Sequence, residues 1–266
     1  MAVSRISGSA LALLRALVIL AGLLFAVLQF SLIWIFGGGR VPRPQRTRWL
    51  SSWCRFTLRI LGIRVEQTER FPASGLVVSN HLSYLDILVF SSLAPAVFVA
   101  KIEVKSWPLF GLFTRLGGSF FIDRWKLKKL PAAVAQAEAV LRAGGLLLVF
   151  PEATTTDGGA LLPFRPALFE AAVRSGTPLT ASHVWYTDAE GSFQRELCWF
   201  GDVQLAPHVA NAFSKTGICA HVTVSRQSRC FASRKIAAAA TQEEVQHMND
   251  LHHGSAEPAL AVSATS

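Results

Sequence analysis

Residues 16–36 form an unbroken apolar run, rich in Leu, Val, Ile, Phe and Trp, with no charged side chain and only Gln29 and Ser31 clearly polar. The run is long enough to cross the hydrocarbon layer of a membrane as a helix, which takes about 20 apolar residues. A signal peptide is the competing reading. No small-x-small cleavage site follows the run, so a retained anchor is expected. Arg40, Arg43, Arg46 and Arg48 crowd its downstream end, against Arg5 and Arg15 upstream. This charge bias predicts that the rest of the chain lies at the cytoplasmic face of the inner (plasma) membrane.

Between Arg46 and Ile63, Trp49, Leu50, Trp53, Phe56, Ile60 and Leu61 recur at near-helical spacing, with Arg48, Arg55 and Arg59 interspersed. Such a helix either lies in the headgroup layer with its arginines toward lipid phosphates or packs on the domain as an ordinary surface helix. Tryptophans beside arginines, just after an apolar span, favour the membrane. Residues 1–65 are therefore expected to form a membrane anchor.

The chain carries a net charge of +9. Up to Val65 its basic residues are Arg5, Arg15, Arg40, Arg43, Arg46, Arg48, Arg55, Arg59 and Arg64, and the first acid is Glu66. Removing these nine from 26 basic residues leaves 17 against 17 acids. A neutral remainder gives no case for a nucleic-acid groove. Cys54, Cys198, Cys219 and Cys230 are scattered without a C-x-x-C pair, so neither a zinc site nor a disulfide framework is indicated.

From residue 66 short apolar runs alternate with helical patterns, the mark of an α/β domain with a mostly parallel or mixed sheet flanked by helices. Strands are expected at 75–79, 96–100, 119–122, 146–150, 179–186, 193–200 and 218–225. Helices are expected at 86–93, 108–116, 130–143, 166–175 and 207–215, with a hairpin turn at 187–192 carrying Asp188 and Gly191. This domain is taken as 66–232, and 233–266 as an Ala-rich helix to about residue 251 followed by a disordered tail. His247, His252 and His253 lie in that last segment without an acid or cysteine cluster, which speaks against a metal role.

The strand Leu76-Val77-Val78-Ser79 runs directly into Asn80-His81-Leu82-Ser83-Tyr84-Leu85-Asp86. Five residues apart, His81 and Asp86 cannot face each other on one regular helix; they pair only if His81 sits in the loop and Asp86 in the first helical turn. A carboxylate on one ring nitrogen then leaves the other free to take a proton from an attacking hydroxyl. The plainer reading is that Ser83-x-x-Asp86 is a capping-box pattern and His81 merely fills a loop.

Three segments weigh on that choice. Asn80 to Asp86, Gly118-Ser119-Phe120-Phe121-Ile122-Asp123-Arg124 and Val149-Phe150-Pro151-Glu152-Ala153-Thr154-Thr155-Thr156 resemble, in order and separation, the first three motifs of the glycerolipid acyltransferase family. Gly176-Thr177-Pro178-Leu179 stands where that family has its fourth. The resemblance spans about residues 64–186. It implies a His81–Asp86 dyad acting on an acyl thioester, carried by acyl carrier protein or coenzyme A, with direct transfer to a lysolipid hydroxyl such as that of lysophosphatidate and no acyl-enzyme. It also implies that Arg124 holds an anionic part of the acceptor headgroup, a task suited to a guanidinium fork, and that Glu152 shapes that site.

The third motif departs from the family's commonest form, in which Gly follows Glu and an Arg comes two residues later; here these are Ala153 and Thr155. Losing that arginine removes a fixed positive charge, which disfavours a doubly charged phosphomonoester. Thr154, Thr155 and Thr156 still offer hydroxyl donors. This threonine-rich form, followed by Pro163-Phe164-Arg165, resembles members that acylate lysophospholipids or lyso-ornithine lipids. Arg165 and Lys101 are further candidates for anion binding, and His183 is expected to be a packed strand histidine. A thioester hydrolase and a non-catalytic lipid-binding protein are the rival readings. No serine-hydrolase elbow, phosphate loop or dinucleotide fingerprint is present, and no cofactor is indicated.

Overall fold

The apolar run belongs to one helix, α1 (Gly8–Phe36), and the arginine-rich segment to a second, α2 (Arg43–Leu61). The computed structural model describes residues 8–123 and 126–256. The chain continues through β1 (Arg64–Gln67), β2 (Gly75–Ser79), α3 (Leu85–Leu93), β3 (Ala96–Lys101), α4 (Pro108–Leu116), β4 (Phe120–Ile122) and α5 (Leu130–Arg142). It ends with β5 (Leu146–Val149), α6 (Phe169–Ser175), β6 (Leu179–Thr187), α7 (Leu205–Ser214), β7 (Cys219–Val224) and α8 (Arg234–Ala256).

The strands build one sheet in the order β1-β7-β6-β2-β5-β3-β4. From β6 to β4 all neighbours are parallel; β7 runs antiparallel to β6, and β1 joins β7 in parallel. The expected α/β class, a mixed sheet flanked by helices, is the observed one. Every residue of β2 and β5 is buried, as strands covered on both faces require. Val77, Leu148, Val184 and Val222 face α2, α3 and α7, whereas Leu76, Leu147, Val149 and Ala181 face α5, α6 and α8.

One expected strand is absent and one strand present was not expected. Residues 193–200 do not form a strand: Phe193 makes one antiparallel bridge to Thr187, after which Arg195–Leu197 is a 3-10 turn. The free edge of β6 is instead taken by β7, and the N–H of Trp199 goes to the Leu82 carbonyl at 2.7 Å. In turn β1, short and polar, carries no apolar signature and is held by its pairing to β7.

α1 buries one stripe, Arg15, Ile19, Ala26 and Phe30, and leaves Leu13, Leu17, Leu20, Leu24, Phe25 and Leu28 exposed. Arg15 Nη1 donates to the Phe213 carbonyl at 2.8 Å, fixing α1 to the end of α7. The apolar face of α2, expected at lipid headgroups, is covered by protein: Trp49 stacks on Phe113 and meets Phe30 edge-to-face, and Leu58 and Leu61 enter the domain core. Arg46 Nε donates to the Leu116 carbonyl (2.9 Å) and Arg55 Nη1 to that of Ser92 (3.1 Å). These carbonyls lie at helix C-termini, where partial negative charge favours a cation.

Gly75 opens β2 at φ 101°, and a Cβ there would meet the Pro178 carbonyl oxygen at 2.9 Å. Gly75→Ala is expected to cost about 1–3 kcal/mol from the strained φ and close approach. A drop in the thermal midpoint of the detergent-purified chain checks it.

Candidate active site

β2 delivers the chain to the carboxyl edge of the sheet, where open α/β sheets gather functional side chains. Asn80 fixes the departure from the strand. Its Oδ1 accepts from the N–H of Val184 on β6 (2.7 Å) and its Nδ2 donates to the Val184 carbonyl (3.0 Å).

His81 follows, held on all sides. Its N–H donates to Glu152 Oε1 (2.9 Å) and its carbonyl accepts from the N–H of Thr156 (2.9 Å). Its Nδ1 lies 2.7 Å from Asp86 Oδ2. The ring stacks on Phe150 with centroids 3.9 Å apart and planes within 7°. The imidazole keeps 14% of its surface accessible and Asp86 none. With Nδ1–H donating to Asp86, Nε2 carries the lone pair, and among the described residues it has no hydrogen-bond partner.

Asp86 stands in the first turn of α3 and His81 in the loop before it, the one placement that lets this spacing pair. Asp86 Oδ2 also accepts from the N–H groups of Leu82 (2.7 Å) and Ser83 (3.0 Å), and Oδ1 accepts from the Tyr186 hydroxyl (2.6 Å). Asp86 therefore serves the helix start as well as His81. The capping box itself is half formed, because Ser83 Oγ is buried without a partner among the described residues.

Glu152, 3% exposed, sits just past the end of β5, the neighbour of β2. Its Oε2 accepts from the N–H of Leu162 (2.8 Å) while Oε1 takes that of His81, so the side chain ties the first motif to the loop of the third. Burial pushes its carboxyl up to about 7, against the opposing pull of those two N–H groups. Ala153, in the place where the family more often has Gly, holds φ 63°.

Lys101, at the end of β3, is partly buried and brings Nζ to 3.5 Å from Thr154 Oγ1. Thr154 and Thr155 are partly exposed. Arg165 is joined to the same loop through its N–H, which donates to the Pro151 carbonyl at 3.0 Å, and its side chain is exposed. Arg124 lies outside the described residues. His183 is fully buried on β6, hydrogen-bonded to Asn249 and stacked near His252, and burial pushes its pKa down to about 3.

Sequence reasoning missed Asn80, Phe150 and Tyr186. Asn80 and Phe150 lay inside segments already singled out, as strand-end residues next to His81 and Glu152. Tyr186 had only the weaker signal of a tyrosine closing a strand predicted to be buried.

These features describe an α/β domain with a partly exposed histidine, oriented by a buried carboxylate, at the sheet edge. A family model described as Acyltransferase matches residues 62–185. Over 215 residues the chain is 36% identical to a lyso-ornithine lipid O-acyltransferase of Rhizobium meliloti, covering 74% of this chain and 70% of that protein. It is 33% identical over 169 residues to a 1-acyl-sn-glycerol-3-phosphate acyltransferase of Neisseria meningitidis, covering 60% of this chain and 66% of that one. The crystal structure of the 1-acyl-sn-glycerophosphate acyltransferase of Thermotoga maritima shares the fold, with a TM-score of 0.58 at 19% identity over 89% of this chain and 97% of that one. The chain belongs to the acyltransferase family and is an O-acyltransferase.

Tyr186→Phe strands a buried Asp86 oxygen and is expected to cost about 1.5–3 kcal/mol, as for a hydrogen bond to a charged group; chemical denaturation measures it. Because the Glu152 carboxyl sits at about 7 in the fold, above its ordinary 4.5, its contribution to stability is complete below about 4.5 and is lost as pH rises through about 7. Glu152→Gln removes this dependence, so its thermal midpoint changes less between those pH values than that of the wild type.

Proposed function

We propose that the enzyme transfers a fatty acyl group from an acyl thioester, carried by acyl carrier protein or coenzyme A, to the free hydroxyl of a lysolipid. The observation that carries this reading is the 2.7 Å contact between His81 Nδ1 and Asp86 Oδ2, with Nε2 left without a partner among the described residues. Nε2 takes the proton of the acceptor hydroxyl as its oxygen attacks the thioester carbonyl. Asp86 keeps the ring oriented and stabilises the imidazolium. The thiolate then leaves with the proton returned by Nε2, and no acyl-enzyme forms. The exposed apolar side of α1 enters lipid at the cytoplasmic face, which puts the site within reach of its acceptor.

Among lysolipids, a lyso-ornithine lipid suits the third motif best. Its headgroup carries a carboxylate but no phosphate, and the third-motif loop has neutral Thr155 where the family's commonest form has arginine. Lys101, Thr154, Arg124 and Arg165 are the groups to hold that carboxylate, and the name of the Rhizobium relative supports the same acceptor. Lysophosphatidate is the second reading, favoured by the Lys101 ammonium beside Thr154 and by the name of the Neisseria relative.

Incubating the full chain with labelled acyl thioester and each lysolipid tests the proposal. Label is expected in acylated lipid only when acceptor is present; equal release of free acid with and without acceptor would make the protein a hydrolase. His81→Ala should lower the transfer rate by about 10²–10⁴, and undiminished activity would leave only a lipid-binding role. Thr155→Arg should shift the acceptor ratio about tenfold toward lysophosphatidate, the effect of about 1.4 kcal/mol.

A further inference from the structure

A second cluster of reactive side chains lies on the other face of the sheet from the Tyr186–Asp86 contact. β1 and β7 pair with Arg64 opposite Cys219 and Glu66 opposite His221. β7 and β6 pair with Trp185 opposite His221 and Thr187 opposite Cys219. Alternation along the strands sends these side chains to one face and that of Tyr186 to the other. They line a cavity of about 320 Å³, to which α8 contributes His252.

Within it, Glu66, Cys219 and His221 each turn one donor atom inward, all three within 4.8 Å of one another. Cys219 Sγ lies 3.9 Å from His221 Nδ1, which lies 3.5 Å from Glu66 Oε2. Sulfur, nitrogen and oxygen ligands around a tetrahedral zinc ion stand about 3.4–3.6 Å apart, given bonds of about 2.3, 2.05 and 2.1 Å. The two spacings that involve His221 lie within a few tenths of an ångström of those values, and the Cys219 sulfur and Glu66 carboxylate lie within 4.8 Å of each other. The second nitrogen of His221 also fits. Its Nε2 is 2.8 Å from Thr187 Oγ1, and an Nε2–H donating to that hydroxyl turns the Nδ1 lone pair toward the other two ligands. Access is graded from the recessed Cys219, 3% exposed, to the Glu66 side chain at the mouth, 60% exposed.

We propose that Glu66, Cys219 and His221 bind a divalent cation of the zinc class, with solvent in the fourth position. A thiolate and an imidazole select such an ion over magnesium or calcium. The Cys219 thiol gives up its S–H proton to solvent as the sulfur–metal bond forms. Arg64 lines the same cavity and its charge opposes the cation, which makes the site weaker than a four-ligand structural zinc centre. Bound there, the ion would fasten β1, the strand that directly follows α2, to β7.

Cobalt(II), a spectroscopic stand-in for zinc, tests this on the full chain freed of metal by chelation. One equivalent per chain should produce a thiolate-to-cobalt charge-transfer band that zinc displaces, and zinc but not magnesium should raise the thermal midpoint. Cys219→Ser should abolish the band. Glu66→Gln, at an exposed side chain, should weaken cobalt binding at least tenfold, and Cys230→Ser, at the exposed thiol, should change nothing. A wild type without the band, a band that survives Cys219→Ser, or one lost in Cys230→Ser overturns the site.

Discussion

The side chain of Asp86 has no contact with water, and a carboxyl group in that position has to be surrounded by donors to be tolerated. The donors come from separate parts of the chain. Leu82 and Ser83 supply main-chain N–H groups, His81 a ring nitrogen, and Tyr186 a hydroxyl from β6, one hundred residues away. Meeting this requirement fixes the loop path, the start of α3 and the plane of the imidazole together. It also explains why β6 has to lie beside β2: the Asn80 clasp on Val184 and the Tyr186 hydroxyl both depend on that pairing.

Much of this was legible in the chain. The apolar strand Gly75–Ser79 and the helix Pro108–Leu116 fall where their patterns predict, because each has a continuous apolar signal and glycine or proline at its boundary. The His81–Asp86 contact follows from a strand, a short loop and a helix start, all local. What stayed hidden is non-local. Tyr186 and Asp86 meet across a hundred residues, and Glu66 meets Cys219 and His221 only because a polar four-residue strand finds the edge of β7. Residues 193–200 mislead for the related reason that a sheet edge accepts one partner, and β7 offers six paired positions where that segment offers one.

The two N-terminal helices show how one composition serves two surroundings. α2 has the tryptophans and arginines of an interfacial helix, yet Trp49 is enclosed by α1 and α4, and Arg46 and Arg55 reach helix ends. A guanidinium suits a helix C-terminus for the reason it suits a lipid phosphate: fixed donors meet concentrated negative charge. α1 differs: it is long and apolar enough to cross a membrane, and its exposed leucines have no polar groups to satisfy. Its buried stripe of Arg15, Ile19, Ala26 and Phe30 keeps that greasy surface rigidly attached to the catalytic domain.

In the third motif the loop's shape is held by groups that do not include the side chain at position 155. Ala153 adopts a left-handed φ of 63° although it has a Cβ, a conformation costing an L-residue about 1–2 kcal/mol. The strain is held in place by the clamp on either side of it, where Glu152 accepts from His81 and Leu162 and the N–H of Thr156 returns to the His81 carbonyl. Those bonds are made by the Glu152 carboxyl and the main chain, so none of them depends on which side chain stands at 155. The loop can therefore exchange a guanidinium for a hydroxyl at that position without moving His81, and in the reaction proposed above this separates the choice of acceptor headgroup from the geometry of proton transfer.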